Sequence, residues 1–534
     1  MSHPRLDRAI NQMHPIMGRL RTRRGFFVAA TFSIVLIFLY TTASGSVSPS
    51  QWVPNSLRFG KGGNGAASCT PEEYAQGKWV YRPYWTRPGP LTKTDPVNFK
   101  VDESLPHPNI NMTGPESVLK YARFEGCASS REFHWHLAGD NEGQFDRFPG
   151  PLEWEWVPGG NCGKEDGLRE WNVEDVLREL VEGGGWLLVG DSVTENQFYS
   201  ISCLLYPHVI ATPDYTLSQW WERDWPQNLY LNPESPLLKD DDTVLLTKHK
   251  AAGQGRRKIT PPPGFNITST PLVTFRRVDL FYSEAELKEM HRELHPEFYT
   301  EGKEFVLFGD EVNYTLSPDV YLDIFFKPLP EGNYKTLITS SAGHWTTNNF
   351  HGYHRESEGA DVSTSTTGLA DSKNPVMGYD GLLQFYGEVV ERWANKIQDA
   401  FDVHMGKTKG AGYPPGREKE PQAIVRAYLP GHEDCHNIRQ PATTIPNYTW
   451  NWWNWGEIWK FNRIWENLLK LNEKAGIKPF KNVHFLRIDR PGRLRPDAHA
   501  TGDCLHIMAG AGVMEGWTHY IWHYVSREVQ RLTA

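Results

Sequence analysis

Two stretches more than three hundred residues apart hold side chains suited to acyl transfer. In the first, the apolar run Trp186-Leu187-Leu188-Val189 leads into Gly190-Asp191-Ser192, and a helix-like segment, Glu195 to Leu205, follows at once. A buried strand thus delivers a serine into a tight turn at a helix N-terminus. Backbone N–H groups are unpaired there, and the helix dipole favours negative charge. A serine hydroxyl at such a turn attacks a carbonyl while nearby amides receive the oxyanion. The hydroxyl alone is a poor nucleophile at neutral pH and needs a base. The second stretch, Asp503-Cys504-Leu505-His506, supplies an acid and an imidazole three residues apart, able to face one side of a loop or first helical turn. The competing reading of Ser192 is a plain helix N-cap, with Asp191 bracing the turn.

Elements must carry these residues to one place. Val176, Leu177, Leu180 and Val181 give Glu174 to Glu182 helical spacing just before the serine strand. Further helices are predicted over Glu284 to Leu294, Tyr379 to Phe401, Trp459 to Ala475 and Met514 to Leu532. Strands are predicted over Thr336 to Ser340, ending in Ser341-Ala342-Gly343-His344-Trp345, over Ala423 to Tyr428, ending in Pro430-Gly431-His432, and over Val483 to Ile488. Between Pro213 and Pro271 the pattern is irregular and reads as an excursion over the core. This alternation predicts a three-layer α/β/α sandwich with a mainly parallel sheet and its site along the strand carboxyl ends.

Composition bounds the setting. The chain has 534 residues, 39% hydrophobic and 22% charged, as a folded protein does, and its net charge of -8 argues against nucleic acid as a partner. Arg19, Arg21, Arg23 and Arg24 precede an uncharged segment, residues 25–43. About 19 residues at ~1.5 Å each span roughly 28 Å, enough for a bilayer. A cleaved signal peptide is the alternative; the long basic lead-in favours a signal-anchor. The expectation is a single-pass type II membrane protein: residues 1–24 a cytosolic tail, 25–43 the transmembrane helix, 44–68 a flexible lumenal stem, and 69–534 the functional domain. A short span suits a Golgi or early secretory membrane. All six cysteines, and sequons at Asn111, Asn266, Asn313 and Asn447, follow the span, as a lumenal body requires. No ligand spacing suggests a metal site.

The wider pattern is more specific. Gly190-Asp191-Ser192-x-x-x-Asn196-Gln197-x-x-Ser200-x-x-Cys203 resembles the plant trichome-birefringence-like proteins and related PC-esterase domains of the SGNH/GDSL hydrolase superfamily. The resemblance continues in Gly77-x-Trp79-Val80-Tyr81, Trp154-x-Trp156-x-Pro158, Gly343-His344-Trp345, Pro430-Gly431-His432, Arg495-Pro496-Asp497-Ala498-His499 and Asp503-Cys504-x-His506. It implies an SGNH-like fold with Ser192 as nucleophile, His506 as general base and Asp503 orienting the imidazole. The backbone N–H groups of Ser192 and Gly343 are the expected oxyanion donors, with Asn196 and His344 as further candidates at the substrate. Asp191, His432 and His499 are placed behind the reacting groups, though a histidine such as His344, His432 or His499, taken singly, is more often a hydrogen-bonded structural one. The chain departs from the family where an asparagine usually precedes Gly-His-Trp: Ser341 stands there. Met508 stands where a cysteine usually follows the histidine. The family pattern implies the pairs Cys69–Cys162, Cys127–Cys203 and Cys435–Cys504.

The function this implies is transfer of an acetyl group to a hydroxyl of a polysaccharide or glycoprotein glycan through an acetyl-Ser192 intermediate. No bound cofactor is implied, but an acetyl donor is required, acetyl-CoA or an acetylated intermediate. An acetyl-donor transporter or a glycan synthase is a conceivable partner. With water as acceptor the same residues make an O-acetylesterase; a low-activity glycan-binding protein on this fold is the reading from another class. The run Trp450, Trp452, Trp453, Trp455, Trp459 suits either sugar stacking or core packing.

Overall fold

In the computed structural model, residues 68–82, 119, 122, 124–131, 147–217, 226–238, 259–299, 305–354, 375–408, 420–448, 453–470, 480–500 and 502–533 are described. The expected tail, span and stem up to residue 67, and Asn111, lie outside them. Among the described residues no helix is long and apolar enough to cross a membrane.

Strands β1 (Lys78–Tyr81) and β2 (Trp154–Val157) pair antiparallel as a separate ribbon. The main sheet has seven strands: β3 (Gly185–Gly190), β4 (Val209–Thr212), β5 (Gln227–Leu231), β6 (Pro271–Arg277), β7 (Tyr334–Ser340), β8 (Gln422–Arg426) and β9 (Val483–Leu486). Their spatial order is β4-β5-β6-β3-β7-β8-β9. The five from β6 to β9 are parallel, and β5 and β4 extend the β6 edge antiparallel. All six residues of β3 are buried, as a strand covered on both faces requires.

Register fixes the site. Gly190 pairs with Arg277 on one side and Ser340 on the other, so three strands end level. The chain leaves β3 for one flank (β6) and later returns to the other (β7), which makes a crevice at the carboxyl ends the natural ligand position.

Helices flank this sheet. Helix α1 (Val173–Arg178) is capped by Asn172, whose side chain accepts from Asp175 N–H, and it widens into a π turn over Glu179–Gly183. Gly184, at φ 112°, then reverses the chain into β3. Helix α2 (Ser192–Leu204) begins three residues before the predicted Glu195, because Asp191 caps it. Helix α3 (Glu284–Leu294) has the predicted bounds, set by a Ser283/Glu286 capping box. Helix α4 (Gly378–Thr408) buries Leu382, Phe385, Tyr386, Val389, Trp393 and Phe401 at helical spacing. Helices α5 (Ile458–Leu468) and α6 (Val513–His523) follow, and a π turn over Tyr524–Glu528 interrupts the predicted terminal helix.

The predicted excursion needs correction. It contains β5, and β6 begins at its end on Pro271. A proline at a first strand position costs no ladder bond, and β6 is then enclosed by β3 and β5. Its terminal Arg277, which argues against burial, is neutralised by Asp279 and Glu195.

Candidate active site

Gly190 closes β3 because nothing larger fits: a Cβ there would lie 2.4 Å from Thr194 Oγ1 and 2.9 Å from the Ser340 carbonyl. Asp191 is the N-cap, its Oδ1 accepting from the Val193 N–H at 3.0 Å. The capping alternative for Ser192 therefore falls: its neighbour caps the helix, and its own hydroxyl is free for other work. Asp191 is fully buried beside Tyr428 and in the field of Arg426 and Arg277. Burial, then this carboxylate, pushes the Tyr428 phenol well above its ordinary range.

The second stretch meets the first directly. His506 Nε2 lies 2.7 Å from Ser192 Oγ, and His506 Nδ1 lies 2.7 Å from Asp503 Oδ2. The other oxygen of Asp503 accepts from the backbone N–H groups of Leu505 and His506, each at 2.7 Å. Partial burial works against the Asp503 carboxylate, but the imidazole and these hydrogen bonds outweigh it and hold the carboxyl well below its usual range. An ionised Asp503 fixes the imidazole with Nδ1–H toward the carboxylate, leaving Nε2 to accept the serine proton. The Cys435–Cys504 disulfide ties this loop to the chain just beyond β8. The other pairs are Cys69–Cys162 and Cys127–Cys203, so the pairing implied by the family pattern is the one formed. His436 lies close enough to Cys435 and Cys504 to share an ion with them, but disulfide sulfurs offer no thiolate.

His432 and His499 are buried behind this loop. His432 Nε2 lies 3.0 Å from the Arg493 carbonyl, His432 Nδ1 lies 2.6 Å from His499 Nε2, and His499 Nδ1 lies 3.2 Å from the His506 carbonyl. His499 thus touches the backbone of His506, and His432 supports His499 from behind.

Other expectations land differently. The Asn196 amide donates to the carbonyl of Ile507, the residue after His506, so it braces the histidine loop. The Ser341 hydroxyl donates to the Asp279 carbonyl at 2.5 Å, so it does not replace the missing asparagine. His344 Nε2 stands 3.6 Å from Asp279 Oδ1, with its side chain partly exposed. Gly343 packs against Tyr428, where a Cβ would lie 2.3 Å from the phenol oxygen. Neither the Ser192 nor the Gly343 N–H has a hydrogen-bond partner among the described residues. Among the described residues both are therefore donors without an acceptor, as an oxyanion site needs.

Several residues at the crevice escape sequence reasoning. Glu195 is buried and accepts from Arg131 Nε and from Gln227 Nε2 at 2.5 Å, with Arg277 3.7 Å from its second oxygen. Asp279 is fully buried, taking Arg277 Nε at 2.5 Å and the Tyr314 N–H at 3.0 Å. The available signal was a charged pair, Arg277 and Asp279, just after a β-branched run, at a strand that a leading proline disguises. Of the tryptophan run, Trp455 is buried, Trp453 and Trp459 are exposed, and Trp450 and Trp452 lie outside the described residues. Asn266 and Asn447 are exposed, whereas Asn313 is half-buried and its amide donates to Glu284 and Asn349. No model of a known protein family matches the chain, and no curated protein matches it.

Proposed function

We propose that this protein is a serine-dependent acyltransferase of SGNH-like, three-layer α/β/α architecture that moves acetyl groups onto glycan hydroxyls. The observation that supports it is the continuous line Ser192 Oγ, His506 Nε2, His506 Nδ1, Asp503 Oδ2, with 2.7 Å at both hydrogen bonds. In the first step His506 takes the Ser192 proton, and Oγ attacks the acetyl carbonyl carbon of the donor. The tetrahedral oxyanion faces the Ser192 and Gly343 amides. It collapses as the bond to the donor breaks, and His506 returns its proton to the leaving atom. In the second step a sugar hydroxyl gives its proton to His506, attacks acetyl-Ser192, and frees the serine, which regains the proton. Asp503 stays ionised and supports the imidazolium in both steps. General-base help of this kind contributes ~10²–10⁴-fold.

The reading includes anchorage by residues 25–43 in a Golgi or early secretory membrane with the catalytic domain lumenal. An acetylesterase differs only in its acceptor, water. The test uses the full chain in detergent beside its Ser192→Ala variant, with an acetylated oligosaccharide as donor and an unacetylated one as acceptor, followed by mass spectrometry. Acetylated acceptor formed only by the unmodified protein supports the transferase, and free acetate alone the esterase. Identical behaviour of the two proteins sinks the serine mechanism and leaves the glycan-binding reading.

A further inference from the structure

The loop after β7 has carbonyls that no strand or helix can satisfy, and buried carbonyls must find donors. Two buried asparagines supply them. Asn454 donates its amide to the carbonyls of Ala342 and Trp345, each at 2.8 Å. Asn349 donates to the His344 carbonyl at 2.8 Å and to Asn313 Oδ1 at 2.7 Å. The Trp345 N–H adds a second bond to the Ala342 carbonyl, at 3.0 Å. Both asparagines are almost wholly enclosed.

The Ala342 carbonyl and the Gly343 N–H belong to one peptide unit. That unit is trans, so its C=O and N–H point in opposite directions. Fixing the carbonyl inward on Asn454 therefore aims the Gly343 N–H the other way, out of the loop, where no described residue accepts from it. Two bonds accepted at the carbonyl also polarise the peptide and strengthen its N–H as a donor. We propose that Asn454 is a positioning residue for the oxyanion site: through the Ala342 carbonyl it holds the Gly343 amide toward the reacting acyl group. This rests on the serine mechanism proposed above. It gives an asparagine outside the Gly343 loop the task that Ser341, bonded to the Asp279 carbonyl, does not perform. The next residue in the same turn, Trp455, packs on Gly431, where a Cβ would lie 2.3 Å from its ring and 2.5 Å from the Cys504 carbonyl. One short turn thus touches the Gly343 loop and Gly431, on which the loop of His506 rests through Cys504.

The experiment compares full-length wild type, Asn454→Ala, Asn454→Gln and Ser192→Ala. The extent of Ser192 labelling by a fluorophosphonate counts competent sites, and acetyl-ester turnover is expressed per labelled site. Loss of one preorganised oxyanion donor costs ~10²–10³-fold in kcat. Asn454→Ala is expected to lose about 100-fold in kcat per site with KM changed by less than about twofold, and Asn454→Gln, which keeps an amide donor, to recover part of that loss. A loss confined to the number of labelled sites in both variants, with kcat per site unchanged, overturns the proposal and makes Asn454 purely structural. If wild type and Ser192→Ala turn over alike, the serine mechanism fails first, and that outcome is distinct from a wild type that works beside an Asn454→Ala of equal kcat.

Discussion

Asp503 makes three close hydrogen bonds with two oxygens, one to the imidazole and two to the backbone of its own loop. The same carboxylate that holds the tautomer of His506 therefore also shapes the turn that carries it. Asp503→Asn keeps the volume and removes the charge, and its amide nitrogen can press the imidazole into the wrong tautomer. We expect kcat to fall on the order of 10⁴-fold while the unfolding midpoint moves little, since the neighbouring disulfide and Arg147, which donates to the His499 carbonyl, still hold the loop. A residual kcat above about a tenth of wild type would show that the carboxylate is not part of the machinery.

Helix α2 joins the two halves of the site. Its first residue is Ser192, the proposed nucleophile, and its polar residues Asn196, Gln197 and Ser200 all face the C-terminal segment. They bond the Ile507 carbonyl, Thr518 Oγ1 and Glu515 Oε1. Glu515 in turn accepts from the N–H groups of Gly510 and Gly512 at the start of α6. A buried polar stripe on a helix is costly unless paired, so its pairing specifies how the histidine segment docks. Ser200→Ala leaves the half-buried Glu515 short of a donor and is expected to cost about 1–3 kcal/mol. Asn196→Ala should cost a similar amount and, because Ile507 follows His506, the proposed base, also lower kcat about tenfold. Urea unfolding and turnover per labelled Ser192 check both; equal kcat losses in the two variants would contradict this division.

At the scale of the whole molecule, buried charges and buried imidazoles make stability depend on pH, and one group of them packs beside the His506 loop. Arg495 and Asp497, both fully buried, make a two-point ion pair at 2.9 and 3.1 Å beneath the histidine loop. Burial, aided by Arg493 and Arg495, pushes the His432 imidazole down to about 4, and burial with His432 holds His499 well below its ordinary value, against the pull of Asp503 and in the presence of Arg147. The unfolded chain takes up these protons near pH 6.5 and the folded one resists them. Stability is therefore complete above pH 6.5 and falls as pH drops toward 4, by about 3 kcal/mol for His432 alone. His295, raised by Glu388 and Glu297 despite its burial, contributes with the opposite sign. Melting temperatures measured across this range should decline toward acid, and His432→Gln should flatten the decline. An unchanged slope in that variant would remove the pair from the account.

The sequence by itself determined the pieces whose character is local. An all-apolar run ending in Gly-Asp-Ser can hardly be other than a buried strand feeding a turn, and the spacing of Asp503 and His506 alone brings acid and imidazole to one side. The bounds of α3 follow from Ser283 and Glu286 in the same way. What required the tertiary structure was everything decided by partners distant in the chain. β6 starts on a proline and ends on arginines, and it is a central strand only because β3 and β5 enclose it and because Glu195 and Asp279 neutralise Arg277. Asn196 reads equally well as an oxyanion donor until Ile507 arrives from more than three hundred residues away to take its amide. Asn454, set among tryptophans, shows no sign in sequence of holding the Ala342 carbonyl. Hydrophobic period and capping act within a few residues and are written along the chain, whereas a buried polar group takes its role from whichever unpaired donor or acceptor the fold brings to it.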